Sequence, residues 1–303
     1  MRFIAGVGLA GELGVGITLV SEVMAKETRG YGTMIVSGVG IAGAAFGYLI
    51  ADKFNWKMAY WVGGGMGLVL LVLRVIVSES GMFEKIKKEE VSRGNFFMLF
   101  TDRKRFFKYL YCILIGVPVW FVIGILVLFS PEFAGKVFHI PQAINGGKAV
   151  MYHYIGASVG SFATGLLSQL LKSRKKALLI SLITVTVTMI LYFSSFGFSA
   201  SMFYFVLFLL GIAQGYWAVF ITVASEQFGT NLRATATTTI PNFVRGSVVL
   251  MTLFFKFLKS DDVIGMQYAG YLIGAIVLLL GFVSLYKMDE TYHKDLDYIE
   301  PVE

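Results

Sequence analysis

The 303-residue chain has few residues that carry covalent, metal or acid–base chemistry. It contains one cysteine, Cys112, and three histidines. A single cysteine excludes an internal disulfide framework and any cysteine metal cluster. The sequence also has no His-Glu-x-x-His motif, no nucleotide-binding glycine loop and no cysteine pair. It therefore supports neither metal catalysis nor ATP-driven chemistry, and we expect no metal and no cofactor.

Charge is scarce as well, at 15% of residues against about 25% in ordinary soluble domains. Hydrophobic residues make up 56% of the chain, and the mean hydropathy is +0.73. A chain this apolar belongs in a lipid bilayer, and nothing in it indicates a nucleic-acid partner. The sequence therefore predicts an all-α polytopic membrane protein.

Nine apolar runs have about the 20-residue length that crosses a bilayer. They lie at 2–21, 33–51, 58–77, 109–129, 148–171, 177–197, 201–224, 238–258 and 266–286. The charged stretch 78–108 is predicted to be a solvated loop on the cytoplasmic side. We expect an N-terminal bundle remainder at 1–77, this central loop, a six-helix bundle at 109–287 and a cytoplasmic tail at 288–303.

The positive charges are unevenly divided between the two sides of this arrangement. Links on one side hold 18 of the 26 lysines and arginines, and links on the other side hold six. Positive residues concentrate in cytoplasmic loops, so the C-terminal tail is predicted to lie inside. Nine spans would then place the N-terminus outside, although no export signal precedes it. This suggests that a segment upstream is missing, and the repeat described next sets its length at three helices, because its second copy lies in the fourth of six helices and its first copy in the first of only three.

One segment occurs twice, at the same point of two helical hairpins. Ile-Thr-Leu-Val-Ser-Glu at 17–22 recurs as Ile-Thr-Val-Ala-Ser-Glu at 221–226, and an arginine follows seven residues after each glutamate. A second correspondence relates the helix ends Val-Ser-Glu-Ser at 77–80 and Met-Asp-Glu-Thr at 288–291. Repeated helix ends in two halves indicate a duplicated membrane bundle.

These features resemble the major facilitator superfamily from its fourth helix onward. Arg-Phe-Ile-Ala-Gly-Val-Gly at 2–8 matches that superfamily's fourth-helix pattern, and Gly-Leu-Ala-Gly-Glu at 8–12 resembles the metabolite:proton symporter branch, with the sugar porters next. The resemblance implies a twelve-helix (6+6) fold of which about nine transmembrane helices are present. It also implies alternating access in a cell membrane, with the bacterial inner membrane expected.

By the resemblance, the chain is part of a secondary active transporter for a small organic acid or sugar, working by proton-coupled symport. Its partners would be the small-molecule substrate, protons, lipid and a separately encoded N-terminal segment. Expressed alone, the 303-residue chain is expected not to accumulate solute. The alternative interpretations are a non-transporting membrane remnant or interaction subunit and, more remotely, an intramembrane serine hydrolase. Gly156-x-Ser158-x-Gly160 fits the hydrolase pattern but lacks a general base from another element, and small residues for helix packing explain it better.

The repeated segments supply the candidate gate residues. In the family, such residues form ion pairs across the two halves that close the cytoplasmic side. The alternative is a set of solvated hairpin charges, which would contribute only about 0–1 kcal/mol each. The candidate cytoplasmic gate is Glu22, Arg29, Glu226 and Arg233.

Polar residues inside apolar runs are the candidate substrate or coupling residues, because a charge there is expensive unless it has a function. Glu12 could carry a proton or face substrate, or it could be a packing residue neutralised by a missing helix. Arg245 suits an organic-acid substrate or the coupling carboxylate, with snorkelling to the surface as the alternative. The remaining candidates are Arg2, Trp120, Gln214, Trp217 and Asn242, while Tyr152, His153 and Tyr154 look like interfacial-belt residues.

Overall fold

The computed structural model describes residues 2–75, 80–82, 92–260 and 262–301. These residues form twelve α-helices. A π-helical turn over Val122–Val127 directly follows the helix that ends at Phe121. The helices are α1 (Arg2–Val23), α2 (Arg29–Lys53), α3 (Trp56–Val75), α4 (Met98–Thr101), α5 (Arg103–Phe121), α6 (Ser130–Lys136), α7 (Gly146–Leu170), α8 (Arg174–Phe193), α9 (Ala200–Gln214), α10 (Trp217–Glu226), α11 (Thr230–Leu258) and α12 (Gly265–Lys287).

Each of the nine predicted apolar runs overlaps one described helix or two consecutive ones, and residues 76 and 77 of the third run lie outside the described residues. Within the described residues, seven segments are long and apolar enough to cross a membrane. They are α2, α3, α5 with its π-helical turn, α8, α9 with α10, α11, and α12. Helices α1 and α7 have 22 and 25 residues but are not among the seven. The chain is therefore a multi-pass helical membrane protein, as predicted.

The end of the expected central loop is structured. Helix α5 begins at Arg103 instead of 109, because the Asp102 side chain accepts a hydrogen bond from the Arg105 N–H at 2.7 Å and caps the helix. Helix α4 precedes it, and its residues Met98 and Leu99 are buried. This part of 78–108 is packed against the bundle and does not have the solvated character that the sequence suggested.

Helix α7 packs against α2 on one side and α9 on the other. The backbones of α7 and α9 are in direct contact. A Cβ atom on Gly156 would lie 2.1 Å from the Phe208 carbonyl oxygen, and one on Gly215 would lie 1.9 Å from the Gly160 carbonyl carbon. The Ser158 hydroxyl donates to the Gly38 carbonyl at 2.8 Å. The Gly-x-Ser-x-Gly segment therefore lies in a helix contact.

The hydrophobic core lies mainly in the back half, among α5, α8, α9, α10, α11 and α12. Helices α1 and α2 of the front half pack on it through α10, α11 and α7. None of the membrane-spanning window of α3 is buried. The contact between the halves is therefore made by α1 and α2.

Helix α5 is irregular near its end. Pro118 lies inside the helix, and the π-helical turn begins four residues later, at Val122. A proline removes one backbone hydrogen bond, and π-turns are common at functional sites. Trp120 lies between Pro118 and the π-helical turn, so this irregularity sets the position of its side chain.

Candidate functional site

The two copies of the repeated segment meet face to face at one end of the bundle. The Ser21 and Ser225 hydroxyl oxygens, which are equivalent in the repeat, are 2.9 Å apart. Both serines are fully buried. Since each residue contacts its own equivalent, the pseudo-twofold axis of the duplication passes between them.

The charges of the two copies pair crosswise. Arg233 of the second copy donates to the Glu22 carboxylate of the first at 2.7 Å. Arg29 of the first copy lies 3.6 Å from the Glu226 carboxylate of the second. The side chains of Arg233 and Glu226 are 0% exposed, and those of Arg29 and Glu22 are 3% and 5% exposed. This burial rules out the interpretation of these groups as solvated hairpin charges.

Equivalent backbone contacts orient both arginines. Arg29 Nε donates to the Ser21 carbonyl at 2.9 Å, and Arg233 Nε donates to the Ser225 carbonyl at 3.2 Å. Each arginine thus folds back onto its own repeat segment. The terminal nitrogens are then directed to the glutamate of the opposite copy.

Ser80 and Thr291, at matching positions of the two sequence halves, complete the carboxylate contacts. The Ser80 hydroxyl donates to Glu22, and the Thr291 hydroxyl donates to Glu226 at 2.7 Å. Ser80 and Thr291 are the last residues of the two matching tetrapeptides at 77–80 and 288–291. The second sequence correspondence therefore marks a pair of hydroxyls that serve the repeat glutamates.

Arg174 is a member of this cluster that was not predicted from the sequence. Its guanidinium binds both oxygens of the Glu226 carboxylate, at 3.2 and 3.1 Å, and its side chain is 1% exposed. Lys172 adopts a left-handed backbone conformation with φ 47° in the turn before α8. Ser173 then caps α8 by accepting from the Lys176 N–H. The tight turn thereby places Arg174 at the start of α8, facing inward.

The C-terminal tail runs across the same end of the bundle and contacts both repeat arginines. Arg29 donates to the Lys294 carbonyl at 3.4 Å, and Arg233 donates to the Leu296 carbonyl at 2.5 Å. Leu296 is fully buried. Further along, Lys108 donates to the Glu300 carboxylate at 2.6 Å. The tail is therefore a packed strap and not a solvated extension.

Glu290 fastens the strap to the start of α8. Its carboxylate accepts hydrogen bonds from the Ser173 hydroxyl and from the Arg174 and Lys175 N–H groups. Partial burial alone would raise the pKa of Glu290, but these donors outweigh it and hold the pKa below its ordinary value. The carboxylate is therefore ionised at neutral pH.

A second group of predicted residues lies together within the back half. The Trp120 and Trp217 rings are in edge contact, with centroids 6.4 Å apart. The Arg245 guanidinium lies over the Trp120 ring, 5.9 Å from its centroid. Arg245 also donates to the Asn242 side-chain oxygen at 3.3 Å, and Asn242 donates to the Ala10 carbonyl of α1 at 2.9 Å. The group thus touches both halves.

Gln214 fixes the junction of α9 and α10 beside this group. Its amide nitrogen donates to the Val119 carbonyl, next to Trp120, at 2.6 Å. Its amide oxygen is buried and has no hydrogen bond of normal geometry, and the same holds for the Trp120 indole nitrogen. The interfacial assignment of His153 is wrong, because the residue is 0% exposed and lies against the Gln214 side chain and the Leu207 backbone of α9.

Two predicted residues fall outside these groups. Arg2 begins α1, and its side chain lies outside the described part of the structure. Glu12 lies midway along α1 with an exposed side chain. The assignment of both to substrate binding or coupling stays a prediction.

Two bundle halves related by a duplication, crossed ion pairs at one end and a polar, aromatic group within the helices define a helical membrane transporter. The family model of the Major Facilitator Superfamily matches residues 1–252. The chain belongs to this superfamily, and it is a transporter-family protein rather than an enzyme.

Several curated relatives are similar over different parts of the chain. The putative niacin/nicotinamide transporter of Bacillus subtilis is 24% identical over 299 residues, covering 93% of this chain and 72% of the relative. The probable 4-methylmuconolactone transporter of Cupriavidus pinatubonensis is 25% identical over 258 residues, covering 77% of this chain and 56% of the relative. The benzoate transport protein of Acinetobacter baylyi is 35% identical over 97 residues, covering 30% and 21%.

Proposed function

We propose that this chain is part of a transporter that carries a small, flat organic carboxylate across the membrane, with Arg245 binding the carboxylate and Trp120 and Trp217 contacting the flat part of the substrate. The relatives named for niacin/nicotinamide, benzoate and 4-methylmuconolactone support a small, flat substrate, and niacin and benzoate among these are carboxylates. A sugar, which the sequence left open, is less well supported.

The observation that carries the proposal is the position of Arg245. It lies in the middle of the 29-residue helix α11, where an arginine costs about 2.5–3.5 kcal/mol. Within the described part of the structure, no carboxylate pairs with it, and its contacts are to Trp120 and Asn242. A planar guanidinium with free donors matches the two oxygens of a carboxylate. Arg245 therefore offers a positive charge that can bind the carboxylate of a substrate.

Binding of matched acids and amides to the purified chain tests this role. Benzoate and nicotinate should bind about 10- to 100-fold more tightly than benzamide and nicotinamide, since a hydrogen-bonded charge contributes about 1.5–3 kcal/mol. Arg245→Lys keeps the charge but loses the fork geometry, so it should weaken acid binding at least about tenfold. Arg93→Lys, at an exposed position before α4, is the control and should bind normally. Equal affinity for acids and amides, or normal binding by Arg245→Lys, would refute the assignment.

We further propose that the end of the bundle with the crossed pairs is the cytoplasmic gate, closed in this structure. Removing one partner of a buried ion pair leaves the other charge buried without compensation, and this strongly destabilises the conformation that buries it. The crossed arrangement of Arg29 with Glu226 and Arg233 with Glu22 links the halves at two points. Hydration of these pairs would accompany opening, as alternating access requires.

Orientation and coupling belong to the same proposal. The excess of lysine and arginine at this end supports a cytoplasmic location for the gate and the C-terminal tail. Proton-coupled symport is what the family resemblance implies, with Glu12 as the candidate carrier. If Glu12 carries the proton, Glu12→Gln should remove the proton uptake that accompanies carboxylate binding, whereas unchanged proton uptake would exclude this role.

A further inference from the structure

A basic pocket lies at the gate end of the bundle, outside the crossed pairs. It has a volume of about 530 Å³ and opens where the start of α5 meets the end of α12. The rings of Phe107 and Tyr111, 5.9 Å apart, form an aromatic wall. The residues that line the pocket are Arg103, Lys104, Phe107, Lys108, Tyr111, Gln227, Lys287, Met288 and Asp289.

The charges around the pocket are unbalanced. Four cationic side chains line it, against the single carboxylate of Asp289. Lys108 already binds the Glu300 carboxylate of the tail at 2.6 Å. Within the described residues, Arg103, Lys104 and Lys287 have no carboxylate partner. The pocket therefore has an excess of positive charge available to a ligand.

The start of α5 adds to this imbalance. A helix begins at its positive end, where acidic residues and anions are favoured. Helix α5 has no acidic residue in its first turn and begins with Arg103, Lys104 and Arg105. The Asp102 carboxylate is used to cap the helix, because it accepts a hydrogen bond from the Arg105 N–H. An anion in the pocket would offset both the side-chain charges and the helix end.

The pocket also lies at the end of membrane-spanning helices. Helices α5 and α12 both qualify as membrane spans. Leu279, Val283 and Tyr286 of α12 are exposed and share one face of the helix, which ends next to Lys287. An apolar stripe leading to a basic pocket fits a molecule with acyl chains and an anionic head.

We propose that this pocket binds the phosphate of an anionic phospholipid. Arg103, Lys104 and Lys287 contact the phosphate oxygens, and Phe107 and Tyr111 pack against the glycerol and upper acyl chain. Guanidinium and ammonium groups are the usual phosphate ligands, and basic pockets between membrane helices hold anionic headgroups.

Lipid retention by the purified full chain tests the proposal. The variant combines Arg103→Gln, Lys104→Gln and Lys287→Gln, and spares Lys108 because that residue also anchors Glu300. The control combines Lys136→Gln, Lys148→Gln and Lys256→Gln, which removes the same charge away from the pocket. Each protein is incubated with phosphatidylglycerol and phosphatidylcholine in mixed micelles, and bound lipid is counted by native mass spectrometry.

Wild type and control should retain phosphatidylglycerol in preference to phosphatidylcholine. The pocket variant should bind phosphatidylglycerol about a hundredfold more weakly, since each basic residue near an anionic lipid contributes about fivefold. Equal retention by the pocket variant and the control would overturn the proposal. If the triple variant does not fold, the single changes Lys287→Gln and Lys287→Arg replace it. The arginine variant should retain the lipid, and the glutamine variant should lose part of it. Identical retention by the two variants would overturn the proposal.

A second arm separates a lipid headgroup from a soluble anion. Inorganic phosphate is titrated onto the delipidated protein, and its thermal stabilisation is compared with that by phosphatidylglycerol. A larger effect of the lipid, lost in the pocket variant, supports the proposal. Stabilisation by millimolar phosphate that the lipid does not exceed would assign the pocket to a soluble phosphate compound and overturn the lipid assignment.

Discussion

Glu226→Gln should open the proposed gate. The Glu226 carboxylate is fully buried and binds Arg174 through both oxygens, Arg29 at 3.6 Å and the Thr291 hydroxyl at 2.7 Å. A glutamine keeps the size of the side chain but leaves two buried guanidinium groups without their counter-charge. Removing one partner of a buried pair costs about 3–5 kcal/mol. The ratio of closed to open gate should therefore fall by about two to three and a half orders of magnitude, at 1.4 kcal/mol per factor of ten.

A disulfide between the halves measures this population. Ser21 and Ser225 have hydroxyl oxygens 2.9 Å apart, so cysteines at both positions should crosslink only when the gate is closed. Cys112, the one native cysteine, is buried and is replaced by alanine in all variants. The rate of disulfide formation under mild oxidation, read by gel mobility after cleavage in the central loop, then reports the closed fraction.

Two comparisons make the assay quantitative. Thr291→Val removes one charge-assisted hydrogen bond to the Glu226 carboxylate, worth about 1.5–3 kcal/mol, and should shift the closed-to-open ratio by about 10- to 150-fold. Glu132→Gln is the matched control, because Glu132 binds Lys259 at 2.7 Å far along the chain and is 26% exposed. It should leave crosslinking unchanged. Wild-type crosslinking by a folded Glu226→Gln protein would refute the gate role of Glu226.

Three further predictions follow from the same contacts. Arg233→Ala removes the partner of Glu22 and a donor to the Leu296 carbonyl, so crosslinking should fall and the C-terminal tail should become sensitive to protease. A tail as resistant to protease as that of the wild type would contradict its packing against the bundle. The pKa of Glu290 is lowered, so its stabilisation is complete above the ordinary glutamate pKa of about 4.3 and is lost as pH falls through the lower folded value. The melting-temperature difference between wild type and Glu290→Gln should therefore shrink in acid, and a constant difference would count against this. Gly211→Ala places a Cβ atom 2.0 Å from the His153 carbonyl oxygen and should destabilise the protein by about 1–3 kcal/mol, whereas Gly40→Ala enters open space and should not.

The duplicated segment explains why much of the architecture could be predicted from the sequence. A repeat at an offset of 204 residues marked Ser21 and Ser225 as equivalent, and the structure places their hydroxyls together. The apolar runs indicated the helices because the thickness of the bilayer sets the length of a membrane-spanning helix. Family membership and the helical class, both predicted, are confirmed by the match to the family model.

The parts that the sequence did not reveal depend on three-dimensional packing. Arg174 lies in a basic turn that looks solvated, and only the left-handed Lys172 and the cap at Ser173 turn it inward. The tail acts through the carbonyls of Lys294 and Leu296, and backbone groups leave no signature in a side-chain pattern. His153 seemed interfacial because it lies between two tyrosines, but α9 covers it. The match of the helix ends at 77–80 and 288–291 was the one signal that pointed to Ser80 and Thr291.

The distance between the two halves at the gate tests the central claim most directly. Spin labels on cysteines at the exposed positions Lys26 and Lys176, one in each half at the gate end, report this distance in lipid nanodiscs by pulsed electron paramagnetic resonance. The account predicts a short distance when the gate is closed and a second, longer one whose population rises on Glu226→Gln and changes when benzoate or nicotinate binds. A single short distance in every condition, including Glu226→Gln, would show that the crossed pairs hold a static contact and do not form a gate.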